Sequence, residues 1–234
     1  MGVSVCLASG KDGVGRSTIT VNLGIALSKR GISTVIVDGD IEGASFGLIL
    51  GVDPDTPSLH ECLAGKTTCE EAIIETYGVN ALVGGITIEQ LVNVSVAGFS
   101  NILDKLTERF DIVLVDSPAG LGTDAVTILS NCQSVVLVLT PDINSVTNTL
   151  KTLAVAKKVG TAILGGIINR TGGQYDIPSD KIEDLLKVKI IAEIGEDELV
   201  RQSLQEGVPI YAENPDSSFS KKITDIASKL VGGS

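Results

Sequence analysis

Tryptophan is missing from this chain of 234 residues, and three Tyr and four Phe are all the aromatic surface it has. So few rings offer no platform on which successive bases of a single strand could stack. Positive charge is scarce as well. Lys and Arg number 18 against 29 Asp and Glu, for a formal net charge of -11. A field of that sign opposes general attraction to phosphate backbones and anionic lipid surfaces, so no sequence-specific nucleic-acid partner is expected. No apolar run reaches the ~18 residues that a membrane span needs. The opening MGVSVCLASG lacks the basic stretch of a signal peptide, and Cys6 stands where N-myristoylation would require Ser or Thr. Cys6, Cys62, Cys69 and Cys132 form no C-x-x-C pair. Reduced thiols in a cytoplasmic protein are therefore expected.

What the chain has in plenty is Val, Ile, Leu and Ala, within a hydrophobic share of 43%. Short β-branched runs alternate with longer segments of helical period, the pattern of repeated βαβ units. Strands are expected at Val3–Ala8, Ser33–Val37, Asn80–Val83, Ile112–Asp116, Ser134–Leu139, Ala162–Ile168 and Lys189–Glu193. Several are apolar throughout, as strands covered on both faces are. Ile19, Leu23 and Leu27 share one face of the first helix, and Ile102, Leu103 and Leu106 one face of the helix before Asp111. The stretches from Asp53 to Pro57 and from Asn169 to Pro178 read as loops. Nothing marks a seam or a repeat, and the only low-complexity tail is the last Gly-Gly-Ser. The expected architecture is α/β: a mostly parallel twisted sheet with helices on both faces, in a single domain over residues 1–234.

The first strand runs into Ser9-Gly10-Lys11-Asp12-Gly13-Val14-Gly15-Arg16-Ser17-Thr18 and then directly into a helix. Strand, glycine-rich loop and helix in succession is the setting of a phosphate-binding P-loop. Glycines at 10, 13 and 15 let successive backbone N–H groups turn inward, and with the helix N-terminus they would hold the β- and γ-phosphates. The segment from Gly10 to Thr18 is thus the expected nucleotide-binding loop, with Ser17 supplying a hydroxyl to Mg²⁺. It departs from G-x-x-x-x-G-K-[ST] at Arg16, where the usual residue is Lys. A forked guanidinium does not substitute simply for a compact ammonium. Two readings are open: the charge of Arg16 still reaches the phosphates, or nucleotide binding persists while hydrolysis is slowed or lost.

GKDGVGRST resembles the deviant Walker A motif, K-G-G-x-G-K-[ST], of the MinD/ParA family of ATPases, and its archaeal MinD-like members in particular. The resemblance implies ATP and Mg²⁺ as ligands and an ATP-dependent homodimer in which Lys11 reaches the partner subunit's nucleotide. Val37-Asp38-Gly39-Asp40 is similar to the family's V-D-x-D segment, which would give Asp38 to the metal and make Asp40 the acid that positions or activates the attacking water. Two carboxylates at a strand's C-terminal end also sit where open α/β sheets bind ligands. Asp111 to Asp116 resembles the Walker B run, ending in a carboxylate beside Mg²⁺ at Asp116. The following Pro118-Ala119-Gly120 would sense the γ-phosphate. Asn169-Arg170 falls at the family's adenine-reading position, where an amide offers both a donor and an acceptor. Ile194-Gly195-Glu196-Asp197 falls where the family commonly has I-P-E-D near the base, with Gly195 in place of proline.

The expected catalytic residues are therefore Lys11, Arg16 and Asp40, with Asn169, Arg170 and Glu196 on the base and Ser17, Asp116 and Asp38 on the metal. The bacterial MinD type ends in an additional basic amphipathic helix that binds membrane. Here the apolar stripe Phe219, Ile223, Ile226, Leu230 and Val231 reads instead as the final core helix, and no membrane anchor is expected. The resemblance implies an ATP-driven dimerisation switch in spatial organisation of the cell, such as division-site placement or positioning of surface machinery, read by a regulatory protein partner. One alternative is an NTPase assisting metal-centre or iron–sulfur assembly, for which the Cys62 and Cys69 spacing is a poor match. Another is a nucleotide-binding paralogue with little hydrolysis because of Arg16.

Overall fold

The computed structural model describes residues 1–87, 90 and 95–232; Gly233 and Ser234 of the C-terminal tail lie outside that set. The strands are β1 (Val3–Ala8), β2 (Thr34–Asp38), β3 (Ile74–Thr76), β4 (Val79–Leu82), β5 (Ile112–Asp116), β6 (Ser134–Leu139), β7 (Ala162–Thr171) and β8 (Ile190–Gly195). They form one sheet in the order β3-β4-β2-β5-β1-β6-β7-β8. Every neighbouring pair is parallel except β3 with β4. The expected α/β sheet is therefore present.

Alternation along the strands builds two cores. Cys6, Val35, Val37, Val113, Val115, Val135 and Leu137 face one side, and Val5, Leu7, Ile36, Leu114, Val136 and Val138 face the other. The period-two pleat sends successive side chains to opposite faces, so near-continuous apolar strands require helices on both. The first side is covered by α3 (Leu59–Leu63), α4 (Cys69–Ala72), α5 (Phe99–Arg109), α6 (Thr123–Asn131), α7 (Ile143–Val159) and α8 (Ser179–Leu186). The second is covered by α1 (Arg16–Lys29), α2 (Phe46–Ile49), α10 (Ile210–Glu213) and α11 (Ser218–Val231), with α9 (Glu198–Glu206) at the margin. Ile19, Leu23 and Leu27 are fully buried on α1. Each such side chain contributes roughly 1.5–3 kcal/mol by leaving water. Among the described residues no helix is long and apolar enough to cross a membrane.

Three expectations need correction. The stretch from Asn169 to Pro178 is not all loop: β7 continues through Asn169 to Thr171, because β8 runs on beside it, pairing Asn169 with Ile194 and Thr171 with Gly195 across a register shift. A hairpin strand, β3, was not anticipated. It joins β4 through Tyr77 and Gly78, both at positive φ (49° and 77°), the backbone of the turn whose twist suits a two-residue hairpin. Finally, the α11 stripe is core at Phe219, Ile223 and Ile226, but Leu230 is half-buried and Val231, in the last turn, is exposed.

Candidate functional site

The sheet delivers the chemistry-bearing residues to one edge. Asp38 ends β2 and Asp116 ends β5, and they are register partners on adjacent strands. Leu7 of β1 is paired with Asp116 on its other side, so the loop after β1 emerges beside both acids. That loop walls a cleft of about 410 Å³ with Lys11 through Thr18, Asp40, Ser45, Leu48, Arg170 and Leu204 around it.

The loop is held in shape from outside. Gly15 has φ 88° and caps α1 without a side-chain hydrogen bond, so the first-turn N–H groups have no side-chain acceptor at the cap. A Cβ on Gly15 would stand 2.3 Å from Asn169 Nδ2, and the same amide donates to Val14 O at 2.8 Å. Asn169 thus braces the loop from β7. Gly10 packs on the backbone of α7, where a Cβ would meet Asn148 C at 2.3 Å. Asp12 and Gly13 are exposed at the rim, Ser17 is half-buried, and Thr18 is buried on the cleft wall.

Arg16 does not extend along the loop toward open cleft. Its guanidinium donates from Nε to Asp116 Oδ1 at 2.6 Å, from one terminal nitrogen to Ser9 Oγ at 3.0 Å and from the other to Asp40 Oδ2 at 3.1 Å. The residue is only 6% exposed. Burial pulls its pKa down, but the Asp116 and Asp40 carboxylates more than offset this and raise it. Asp116 also accepts from Ser17 Oγ at 2.5 Å. Burial nevertheless leaves the Asp116 pKa raised, against the pull of Arg16 and Ser17.

Asp38 is fully buried behind these groups. Its Oδ2 accepts from the Ser45 and Phe46 N–H groups, each at 2.9 Å, while its Oδ1 has no partner. Burial first, then the Asp116 charge, pushes its pKa up to about 7. Asp40 sits closer to the cleft, with Oδ1 accepting from Gly43 N at 2.9 Å. After β5 the chain is tied back to β1 by Ser117 N to Leu7 O and Gly120 N to Ser9 O, so the Pro118–Gly120 segment lies against the root of the loop.

Lys11 points to the rim, where Nζ contacts Asp142 Oδ2 at 3.0 Å, both side chains being partly exposed. Asp142 caps α7 by accepting from Ser145 N and also accepts from Thr140 Oγ1. Partial burial alone would raise its pKa, but these bonds and Lys11 hold it below the ordinary carboxylate range. On the opposite flank Gly15, Thr18, Asn169, Arg170, Glu196 and Arg201 line a smaller recess. There Glu196 lies 3.0 Å from Arg201 and 4.0 Å from Arg170. Exposed pairs of this kind contribute little to stability, so their charges remain available to a ligand.

Sequence reasoning missed Ser9, Asp142 and His60. The chain's one histidine is buried, accepting from Gly85 N at Nδ1 (2.8 Å) and contacting Ile41 O through Nε2 (2.9 Å). Since Nδ1 accepts, Nε2 carries the proton, and the ring pins the backbone one residue beyond Asp40. Asp142 was legible as a helix cap ahead of α7; its pairing with a lysine 131 residues away was not. The cysteines are free thiols, as expected, and the Cys62 thiol donates to Thr68 O at 3.7 Å.

Comparison with known proteins agrees with this geometry. The family model for ParA, described as NUBPL iron-transfer P-loop NTPase, matches residues 2–231. An ATP-binding protein of Methanocaldococcus jannaschii is 33% identical over 99% of this chain and 89% of its own length. The septum site-determining protein MinD of Pyrococcus horikoshii, solved in complex with Mg-ADP, is 34% identical with a TM-score of 0.94, covering 99% of this chain and 96% of that one. The cell division ATPase MinD of Pyrococcus furiosus is 36% identical with the same TM-score, 0.94, and both chains are covered completely. With the family model matching residues 2–231 of 234, the chain belongs to the ParA family of P-loop NTPases.

Proposed function

We propose that this protein is an ATPase of the MinD type that works as an ATP-dependent dimerisation switch. The observation that carries the reading is Lys11, presented at the mouth of the phosphate cleft and tied to its own chain by one partly exposed ion pair. A surface pair of that kind is worth at most about 1 kcal/mol. The lysine can therefore exchange its carboxylate for a phosphate of a facing subunit.

The residues fit ATP and Mg²⁺. The glycine turn and uncapped α1 N-terminus suit phosphate, and the Asp38 oxygen without a partner is a hard anionic donor of the kind Mg²⁺ takes. Among the described residues no three His, Cys, Asp or Glu side chains form a metal site by themselves. That suits an ion held through one or two carboxylates together with substrate phosphates. Ser17, Asp116 and Asp38 would hold the metal, which supplies charge neutralisation for phosphoryl transfer to water. Gly10 through Thr18 would hold the phosphates, with Asn169, Arg170 and Glu196 beside the base. Asp40, at the cleft edge, would orient the attacking water and accept its proton, while catalysis otherwise proceeds by positioning and charge stabilisation. Arg16 replaces the usual lysine and makes slow turnover the expectation.

The cellular role follows the relatives: the Pyrococcus horikoshii protein is a septum site-determining protein, and a MinD of Aquifex aeolicus, 25% identical, is solved as a MinC:MinD complex. A role in spatial organisation through a regulatory partner is the reading these support. Light scattering on the eluting protein tests it. Mass should double with Mg²⁺ and a non-hydrolysable ATP analogue but not with ADP, and a monomer under both conditions would refute the switch.

A second reading, transfer of iron or an iron–sulfur centre, is favoured by the matching family model, described as an iron-transfer P-loop NTPase. Metal analysis of anaerobically purified protein separates the two, since only the second predicts bound iron.

A further inference from the structure

We propose that Arg16 is a built-in counter-cation of the Asp116 and Asp40 carboxylates and that, by holding them, it keeps divalent metal out of this pocket until a nucleotide triphosphate enters. The inference rests on the reading of the cleft as a nucleotide–metal site and adds a gate to it.

The geometry is specific to this side chain. Three of its nitrogens reach three different acceptors: Asp116 at the end of β5, Asp40 two residues beyond the end of β2, and Ser9 just after β1. Two of those acceptors are carboxylates, and the Asp116 side chain is completely buried. A guanidinium places its donors on three separate nitrogens of a rigid plane and so reaches acceptors on three separate strand ends, whereas an ammonium offers its three donors from a single nitrogen. The Ser17 hydroxyl takes the second Asp116 oxygen. Both oxygens of that carboxylate are therefore engaged within the chain, and one of the two Asp40 oxygens is also committed to the guanidinium.

A divalent ion seeking these carboxylates must displace a cation that is already paired with both. Mg²⁺ gives up its hydration shell reluctantly and draws most of its strength from substrate phosphates, so alone it is a poor competitor for a buried, bidentate-capable guanidinium. Phosphate oxygens change the balance twice over. They offer Arg16 a new anionic partner, and they supply the metal with the ligands it lacks. Metal and nucleotide are thereby coupled: neither the acids nor the arginine is released for one without the other.

The test is divalent binding in the absence of nucleotide, using Mn²⁺ as the probe, read from the free-ion electron paramagnetic resonance signal and from the shift in melting temperature that Mn²⁺ produces. The native protein should bind Mn²⁺ too weakly to deplete the signal at millimolar metal. Arg16→Gln, with no charge to hold the acids, should bind at least tenfold more tightly and should gain melting temperature with Mn²⁺ alone. Equal Mn²⁺ affinity in both proteins, whether tight or absent, overturns the proposal. If Arg16→Gln does not fold, Arg16→Lys retains the charge without the fork. Mn²⁺ affinity at least threefold above native then supports the proposal, and native-like affinity overturns it. A parallel titration of a fluorescent ATP analogue with Mg²⁺ present reads the nucleotide site itself. Failure there sinks the nucleotide reading, while the Mn²⁺ result still decides the role of Arg16.

Discussion

Lys11 in the phosphate loop is joined to Asp142 at the start of α7 by a 3.0 Å ion pair, so the loop and the helix beside it share one exchangeable contact. Lys11→Ala should abolish nucleotide-dependent dimerisation while leaving nucleotide affinity of the monomer within about tenfold, the cost of one weak charge contact. Asp142→Asn should act in the opposite sense. It preserves a side-chain acceptor for Ser145 N but removes the charge that holds the lysine at home, so the dimer should form at lower protein concentration. Light scattering across a dilution series reads both, and a dimer from Lys11→Ala equal to that of the native protein would refute the role given to the lysine.

Gly15 and Asn169 should behave as a unit. Gly15→Ala forces a side chain into a left-handed backbone (φ 88°) and drives its Cβ against the Asn169 amide. Strain at such a position costs on the order of 1–3 kcal/mol, and the brace on Val14 O is lost with it. Asn169→Ala removes the brace but relieves the clash. The double variant should therefore be less destabilised than the two single effects added together, a coupling that thermal unfolding measures directly. Strict additivity would mean that Asn169 does not brace the loop.

The site was legible in the sequence to the extent that its parts are local. The run from Ser9 to Thr18 is a strand, a turn and a helix start in continuous chain, and Asp38 and Asp116 each terminate an apolar run, so periodicity and glycine placement locate them. What Arg16 does was not legible. Its partners lie 24 and 100 residues away, and only the register of β1, β2 and β5 brings them together. His60 was hidden for the same reason, since its acceptor and donor lie 19 and 25 residues off. Asn169 reads from the sequence as the start of a loop but lies in a strand. Asn169, Gly172 and Gly173 are turn formers by composition, and pairing with β8 carries the strand on to Thr171. The β3 hairpin escaped because its turn uses Tyr77 at positive φ, a conformation a bulky residue seldom adopts.

His60 gives the protein a pH dependence. Burial lowers its pKa from the ordinary value, against the weaker opposing pull of Ile41 O and Glu61. The unfolded chain therefore binds the proton more readily than the folded one. Stability from the neutral ring is fully present above about pH 6.5, the unperturbed value, and is lost as pH falls below it. His60→Gln should flatten the melting profile between pH 7 and pH 5 relative to the native protein. At neutral pH it should cost about 1–3 kcal/mol for imperfectly satisfied backbone groups at Ile41 and Gly85. Asp38, pushed up to about 7, acts with the opposite sign over the same window in both proteins, so native and His60→Gln profiles that run parallel would contradict the assignment.

Asp40 divides binding from chemistry. Its Oδ1 accepts from Gly43 N and its Oδ2 from Arg16, so it is a loop anchor as well as a carboxylate that lines the cleft. If it orients the attacking water and takes its proton, Asp40→Ala should lower single-turnover hydrolysis by about 10²–10⁴-fold, the usual range for a general base. Nucleotide affinity should remain within about tenfold of native, because Arg16 keeps its contacts to Asp116 and Ser9. The ATP-bound dimer should then persist far longer than in the native protein. Were Asp40 only an anchor for Arg16, the variant would hydrolyse at the native rate. Rapid-quench measurement of product tells a carboxylate that acts on water from one that merely holds an arginine.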